Sequence, residues 1–343
     1  MVQEKINMFD DSTIVKATRV QQVGIVVKDV QKTIEAFWNI LGIGPWAIFR
    51  FGQPIVPDLM YYGKPAWGVY KGAIAQTEPI ELELFETIEG PSLFQDWIEE
   101  RGEGIHHAKF LVEDLDVARV EKLMNGQGFP SIWGGHFGPN SEKHFKFFDT
   151  FKILKFIWET SNRSGGNPQL ATFYPDESGV KSPARVKVGT INGIGICVKD
   201  VPGVAEEYSD LFNIEPWDIY DLGPHTVNNR QYHGKPAWSR EKLAHTFIGA
   251  SELELVQPVN GDSIHQDWLD EYGEGPQYLT YICDDVAKVS RLFSEQGFRI
   301  IQSGHFEDKG TTSDFCYVEI SPLHLILKAV TTSKSNKNNS ATH

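Results

Sequence analysis

Apolar and polar positions alternate along this chain in two rhythms that follow each other in a fixed order. A β-branched run from Val23 to Val27 predicts a buried strand, closed by Lys28-Asp29. The next apolar positions, Val30, Ile34, Phe37 and Leu41, are spaced four, three and four apart. That spacing predicts a helix with one apolar stripe. Gly42 and Gly44-Pro45 stop it. Extended segments are predicted near 46–51, 67–75 and 79–87. The pattern then restarts with a strand at His107–Val112, the polar pair Glu113-Asp114 and a helix striped by Val117, Val120, Leu123 and Met124. Gly126 to Pro130 end that helix, and strands near 130–137, 144–149 and 153–160 follow. The order is β-α-β-β-β, twice.

The whole arrangement then recurs. QVGIVVKDV (22–30) returns as GIGICVKDV (193–201), and Pro45-Trp46 as Pro216-Trp217. Gly63-Lys64-Pro65-Ala66-Trp67 returns at 234–238, and Gln95-Asp96-Trp97 at 266–268, each offset by 171. Further on the offset is 169, where Gly135-His136-Phe137 answers Gly304-His305-Phe306. Such register implies duplication of one α/β unit. The segment 161–187, rich in Gly, Pro, Ser and Asn, reads as a linker, and the polar tail 331–343 as disordered. Residues 1–19 form an N-terminal extension.

Composition narrows the class. The 343 residues suffice for two cores, and the net charge of −14 argues against nucleic acid or an anionic membrane as partner. Cys197, Cys283 and Cys316 are scattered, with no CxxC pair, so they read as buried small hydrophobes in a reducing compartment. The N-terminus has no apolar signal core, and no stretch approaches 18 apolar residues. The expectation is a soluble, cytoplasmic protein.

The repeated β-α-β-β-β order, with QVGIVVKDV, LELFET (82–87), GEGIHHAKFLVEDLD (102–116) and FKFFDTFKILKFIWET (145–160), resembles the vicinal oxygen chelate superfamily. That superfamily holds glyoxalases, epimerases and extradiol dioxygenases. The wording of the motifs is most similar to its methylmalonyl-CoA epimerase-like branch, over residues 20–160 well and 190–330 more loosely. The resemblance implies an α+β fold of tandem vicinal oxygen chelate domains (20–160 and 188–330). Each would contain two βαβββ modules that close a cupped mixed sheet around one divalent metal. The ligand places carried over are Gln22, Glu83, His107 and Glu159. The branch commonly has His where this chain has Gln22, although an amide oxygen serves a hard cation.

The residues themselves are compatible with that implication. Strand alternation puts Glu83 opposite the leucines of Glu81-Leu82-Glu83-Leu84, and Glu159 beside Ile157 on a mostly apolar face. A carboxylate buried there calls for a partner or a cation. One His, one amide and two carboxylates suit Mn²⁺, Mg²⁺, Co²⁺ or Ni²⁺ better than the two-His, one-carboxylate iron site of an oxygenase, with Zn²⁺ left open. In the second copy the same places read Gly193, Glu254, Tyr278 and, within one residue, Ala329, a degenerate set expected to leave a structural or substrate-shaping partner.

Other candidates have blander readings. His106 is expected to face away from His107, as a core or surface residue. His136, His305, Lys64 and Lys235 recur in both copies and so read as architectural. Trp46, Tyr61, Tyr62, Trp67 and Phe148 are either core or the lining of a pocket for an aromatic or acyl group. Gly102-Glu103-Gly104 lacks the helix start and Lys-Ser/Thr of a phosphate loop, and no Gly-x-Ser-x-Gly appears.

The resemblance implies a metal-dependent isomerase or epimerase that removes a proton α to a carbonyl through a metal-stabilised enolate, with Glu159 or Glu83 as base. Its substrate would be a small carbonyl compound: an acyl-CoA, a keto acid or an aromatic ketone. The alternatives are a glyoxalase-like lyase, a ring-cleaving dioxygenase, or a non-catalytic small-molecule-binding protein. A monomer or a homodimer fits equally.

Overall fold

The computed structural model describes residues 15–112, 116–138, 143–162, 171–176, 179–308 and 310–331, with the backbone of 334–335. Most of the N-terminal extension and most of the tail expected to be disordered fall outside the described residues, but Lys334–Ser335 of that tail pairs as a short strand with Thr311–Thr312. The fold is α+β, with each copy built as β-α-β-β-β twice.

Local chemistry explains where the elements begin and end. In Lys28-Asp29-Val30, the Asp29 carboxylate accepts a hydrogen bond from the Lys32 amide and caps the first helix, Val30–Ala36. Asp200 does the same for its counterpart, Val201–Phe212. The predicted helical stripe to Leu41 is present, but its second half, Phe37–Leu41, widens into a π-turn before Gly42 leaves at a φ of 71°. Two further helices, Leu93–Arg101 and Ile264–Glu271, start at Ser92 and Ser263 and carry the repeated Gln-Asp-Trp. Periodicity had not marked them. The final strand of the first copy starts only at Ile157, because Phe151–Leu154 forms a short helix in place of the extended segment expected from 153.

Sheet order places the site. In the first copy the four central strands run Glu81–Glu89, Ala17–Val26, Gly104–Val112 and Ile157–Ser161. The middle two pair antiparallel, and each pairs in parallel with its outer neighbour. The first and last strands of both modules are therefore side by side. The second copy repeats this with Ser251–Gly261, Gly193–Cys197, Gly275–Ile282 and Leu325–Val330. Thr172–Tyr174 adds to the edge of the first sheet beside Trp46–Gly52, so part of the connecting segment is built into it.

The two copies share a core. One cluster of buried residues runs from Val20, Val30 and Trp158 of the first copy to Tyr208, Phe212 and Phe293 of the second. Phe212 lies 4.7 Å from the Trp158 ring and 5.8 Å from the Phe110 ring. Arg101 donates to the carbonyls of Tyr272 and Glu274 across the junction. Two smaller clusters, around Phe85, Trp133 and Phe147 and around Tyr278, Phe315 and Tyr317, fill the inner faces of the two sheets. The three cysteines are buried and unbridged. Among the described residues no helix is long and apolar enough to cross a membrane.

Candidate metal centre

Register brings the expected residues together. Gly24 pairs with Glu83 on one side and with His107 on the other, while Lys109 pairs with both Gln22 and Glu159. A Cβ at Gly24 would lie 1.8 Å from Cε1 of His107, so only glycine lets the imidazole cross this strand. His107 Nε2 then sits 3.4 Å from Glu159 Oε2 and 3.7 Å from Glu83 Oε2. All three side chains are buried. Gln22 lines the same cavity. Its amide nitrogen donates to Glu81, and no described group hydrogen-bonds its amide oxygen.

The electrostatics describe a site short of positive charge. Burial pushes the Glu83 carboxyl above its ordinary range, with the Glu159 charge adding to the shift and His107 opposing it. Burial alone would lower His107, but the flanking carboxylates of Glu159 and Glu83 hold it above the usual imidazole value. His106 is held well below that value by burial and by its neighbour's charge. The cluster thus favours retaining a proton unless another cation takes its place.

The walls are aromatic, and are built from other residues than the five weighed as core or lining. Phe49, Phe51, Phe85, Trp133, Phe145 and Phe147 line the cavity. Trp46 and Phe148 belong to the shared core behind the sheet, and Tyr62 and Trp67 are exposed. Tyr61 donates to Asp96 at 2.7 Å, as Tyr232 does to Asp267 in the second copy. Lys64 and Lys235 stand exposed on matching hairpins whose turns carry positive φ at Tyr62-Gly63 and His233-Gly234. His136 pairs with Asp58, and His305 with Asp314, both outside the cavity.

The family profile described as Glyoxalase/Bleomycin resistance protein/Dioxygenase superfamily matches residues 21–147 and again 192–317. The chain belongs to that superfamily. No curated protein matches it in sequence. Among solved structures, a mutant of 4-hydroxymandelate synthase from Streptomyces coelicolor is similar with a TM-score of 0.60 and 12% identity, covering 94% of each chain. A xylose isomerase-like TIM barrel/4-hydroxyphenylpyruvate dioxygenase fusion protein gives 0.53 and 11% identity over 95% of this chain, which spans about half (51%) of that longer protein. A Mn(II)-bound glyoxalase from Novosphingobium aromaticivorans gives 0.49 at 12% identity, over 94% of this chain and 84% of that one. At these identities the likeness is one of fold.

The superfamily's divalent metal fits the residues present. Glu83, His107 and Glu159 each offer one donor atom within 4.8 Å of the others. His107 Nε2 and Glu159 Oε2 are buried with no hydrogen-bond partner among the described residues, a costly state for two polar atoms that face each other. Donors bound about 2.1 Å from one ion sit roughly 3–3.5 Å apart, close to the separations seen.

His106 has a part that alternation concealed. It is buried, as a core residue would be, but its Nδ1 approaches Nδ1 of His107 at 2.9 Å. With Nε2 of His107 facing the carboxylates, a His107 proton on Nδ1 is accepted by His106, an arrangement that would orient the ring to offer Nε2 to a metal. The second copy has Gln277 at this place, where its Oε1 lies 2.7 Å from His265 Nδ1. His106→Phe is therefore expected to weaken divalent-metal affinity about 10–100-fold, with His106→Gln close to wild type, in a competition titration against a chromophoric chelator. Equal affinity in all three proteins would remove His106 from the site.

At the corresponding places the second copy of the superfamily fold carries an ion pair. Gly193, Glu254 and Tyr278 take the first three places, and Gly195 lies under the Tyr278 ring as Gly24 lies under His107. The fourth place is Lys328, not Ala329: Thr280 pairs with Lys328 just as Lys109 pairs with Glu159. Lys328 binds Glu254, and the Tyr278 hydroxyl donates to the same carboxylate at 3.0 Å. Burial alone would raise the Glu254 carboxyl, but the Lys328 ammonium holds it below its ordinary range.

Proposed function

We propose that this protein is a metal-dependent isomerase or epimerase of the epimerase-like branch, moving a proton on the carbon next to a carbonyl. The observation that carries this reading is the buried Glu83, His107 and Glu159 cluster, in which His107 Nε2 and Glu159 Oε2 face each other without hydrogen-bond partners among the described residues. In this reading residues 20–160 form the catalytic unit and 161–187 connect it to the ion-paired unit 188–330, which shapes and supports it. Glu83, His107 and Glu159 hold the ion, with the amide oxygen of Gln22 as fourth donor. A bound divalent ion (Mn²⁺, Co²⁺, Ni²⁺, Mg²⁺ or Zn²⁺) supplies a Lewis acid that lowers the cost of removing the proton.

The chain's own groups do the rest. Glu159 takes the proton and returns it, its Oε2 being free of hydrogen bonds, with Glu83 the second carboxylate in reach. The aromatic walls exclude water from the carbanionic carbon. One imidazole instead of two among the donors favours proton transfer over oxygen chemistry. The substrate is a small carbonyl compound met in the cytoplasm: an acyl-CoA, a keto acid or an aromatic ketone.

The test is elemental analysis of the purified protein, followed by a screen for solvent-deuterium exchange next to carbonyls. About one equivalent of a divalent ion, together with metal-dependent exchange, is expected. Absence of metal after incubation with Mn²⁺, Co²⁺ or Ni²⁺ would sink the reading and leave a binding protein.

A further inference from the structure

One charged group of the first cavity has no part in holding an ion. Lys109 lies two residues beyond His107, on the same face of the same strand, between Gln22 and Glu159. It is 5% exposed and is the lone cation among the described lining residues. Its ammonium makes no hydrogen bond, and no described carboxylate lies within 4.0 Å of it. Lys328 of the second copy is the opposite case, buried and bound directly to Glu254.

The Glu83 carboxyl feels the charge of Lys109, but no direct ion pair among the described residues holds the ammonium, which leaves it available to an anionic group that enters the cavity. Architecture does not require it, because the second copy holds Thr280 at the same place in the same sheet. The carboxylates of the cavity are already engaged. Glu83 and Glu159 belong to the metal donor set, and Glu81 accepts from the amides of Gln22 and Gln76. What remains beside the ion is a single positive group, among aromatic walls, attracted by Glu83 at longer range but in direct contact with no carboxylate of the described residues.

We propose that Lys109 binds an anionic oxygen of the substrate next to the metal, so that the substrate is a carboxylate-bearing carbonyl compound, of the 2-oxo acid kind, rather than a neutral ketone. This rests on the metal-centred reading above and narrows it. The ammonium neutralises the carboxylate, fixes which end of the molecule faces the strand Gly104–Val112, and leaves the aromatic walls to take the organic remainder.

The test uses Mn²⁺ and oxalate as probes on wild type, Lys109→Gln and Lys109→Arg. Free Mn²⁺ is measured by electron paramagnetic resonance, and oxalate binding to the Mn²⁺-loaded proteins by calorimetry. Wild type is expected to bind about one Mn²⁺ and then oxalate. In Lys109→Gln, Mn²⁺ affinity should be unchanged or tighter, because a nearby positive charge is gone, while oxalate affinity falls about 10–100-fold. Lys109→Arg should restore most of it. Oxalate affinity within twofold of wild type in Mn²⁺-loaded Lys109→Gln would overturn the role of Lys109 and leave the metal centre standing. Failure of wild type to bind Mn²⁺ would overturn the metal centre and this proposal together.

Discussion

Glu159→Ala is expected to lose its equivalent of divalent metal and, with it, all metal-dependent hydrogen exchange. Removing the carboxylate takes away the donor 3.4 Å from His107 Nε2 and leaves one carboxylate, Glu83, in the cluster. A loss of about 100-fold or more in metal affinity follows, since even outer-shell changes cost 10–100-fold. His107→Ala should match it. Glu159→Gln separates the two roles assigned to this residue. Its amide oxygen still reaches the ion, so metal content should persist at high Mn²⁺, while exchange falls by about 10²–10⁴ for want of a base. If Glu159→Gln exchanges protons as fast as wild type, Glu83 is the base. The pH dependence has a definite sign. His107 and Glu83 are both held above their ordinary values in the metal-free site, so protons compete with the ion there. Metal affinity is expected to drop as pH falls through those raised values, about tenfold per unit for each proton displaced. Without metal, the stability contributed by these two groups is present at low pH and lost as pH rises through the same values.

Lys328→Met is expected to destabilise the second copy by about 3–5 kcal/mol. It strands the Glu254 carboxylate, which is 3% exposed and left with only the hydroxyls of Tyr278 and, at 3.5 Å, Thr280. The double variant Lys328→Met/Glu254→Gln removes both charges and should recover most of the loss. Chemical denaturation of the four proteins of this cycle measures it. A Lys328→Met protein as stable as wild type would show that Glu254 is not carried as a buried charge. Metal content should be the same in all four, because the proposed donor set lies in the first copy.

Much of this architecture was readable from residue order. The 171-residue repeat and the module order are local or periodic signals, and they survive into the structure. Alternation also told which face Glu83 shares, but not that it is buried, because the strands of Glu83, His107 and Glu159 are covered on both faces at these positions. Lys109 was within reach of the same rule, standing two residues beyond His107 on its face, but a lysine in a strand reads as solvated until its surroundings are known. The helices Leu93–Arg101 and Ile264–Glu271 escaped because their apolar positions are few and their signal is the serine cap.

Other features depended on which strands became neighbours. Ala329 and Lys328 are adjacent in sequence, yet only the parallel pairing of Thr280 with Lys328 decides which one stands at the metal's place. His106 and His107 alternate in direction, yet two imidazole rings are long enough to meet at 2.9 Å. The aromatic lining came from Phe49, Phe51, Phe85, Trp133, Phe145 and Phe147 because their strands curve around one face, while Trp46 and Phe148 were taken by the core that the two copies share. By itself, the sequence determined the repeat, the fold class and the chemical types gathered in the first copy, since periodicity and composition act along the chain. The tertiary structure alone decided which charges meet a partner: that depends on strand register and on packing between segments as far apart as Glu254 and Lys328.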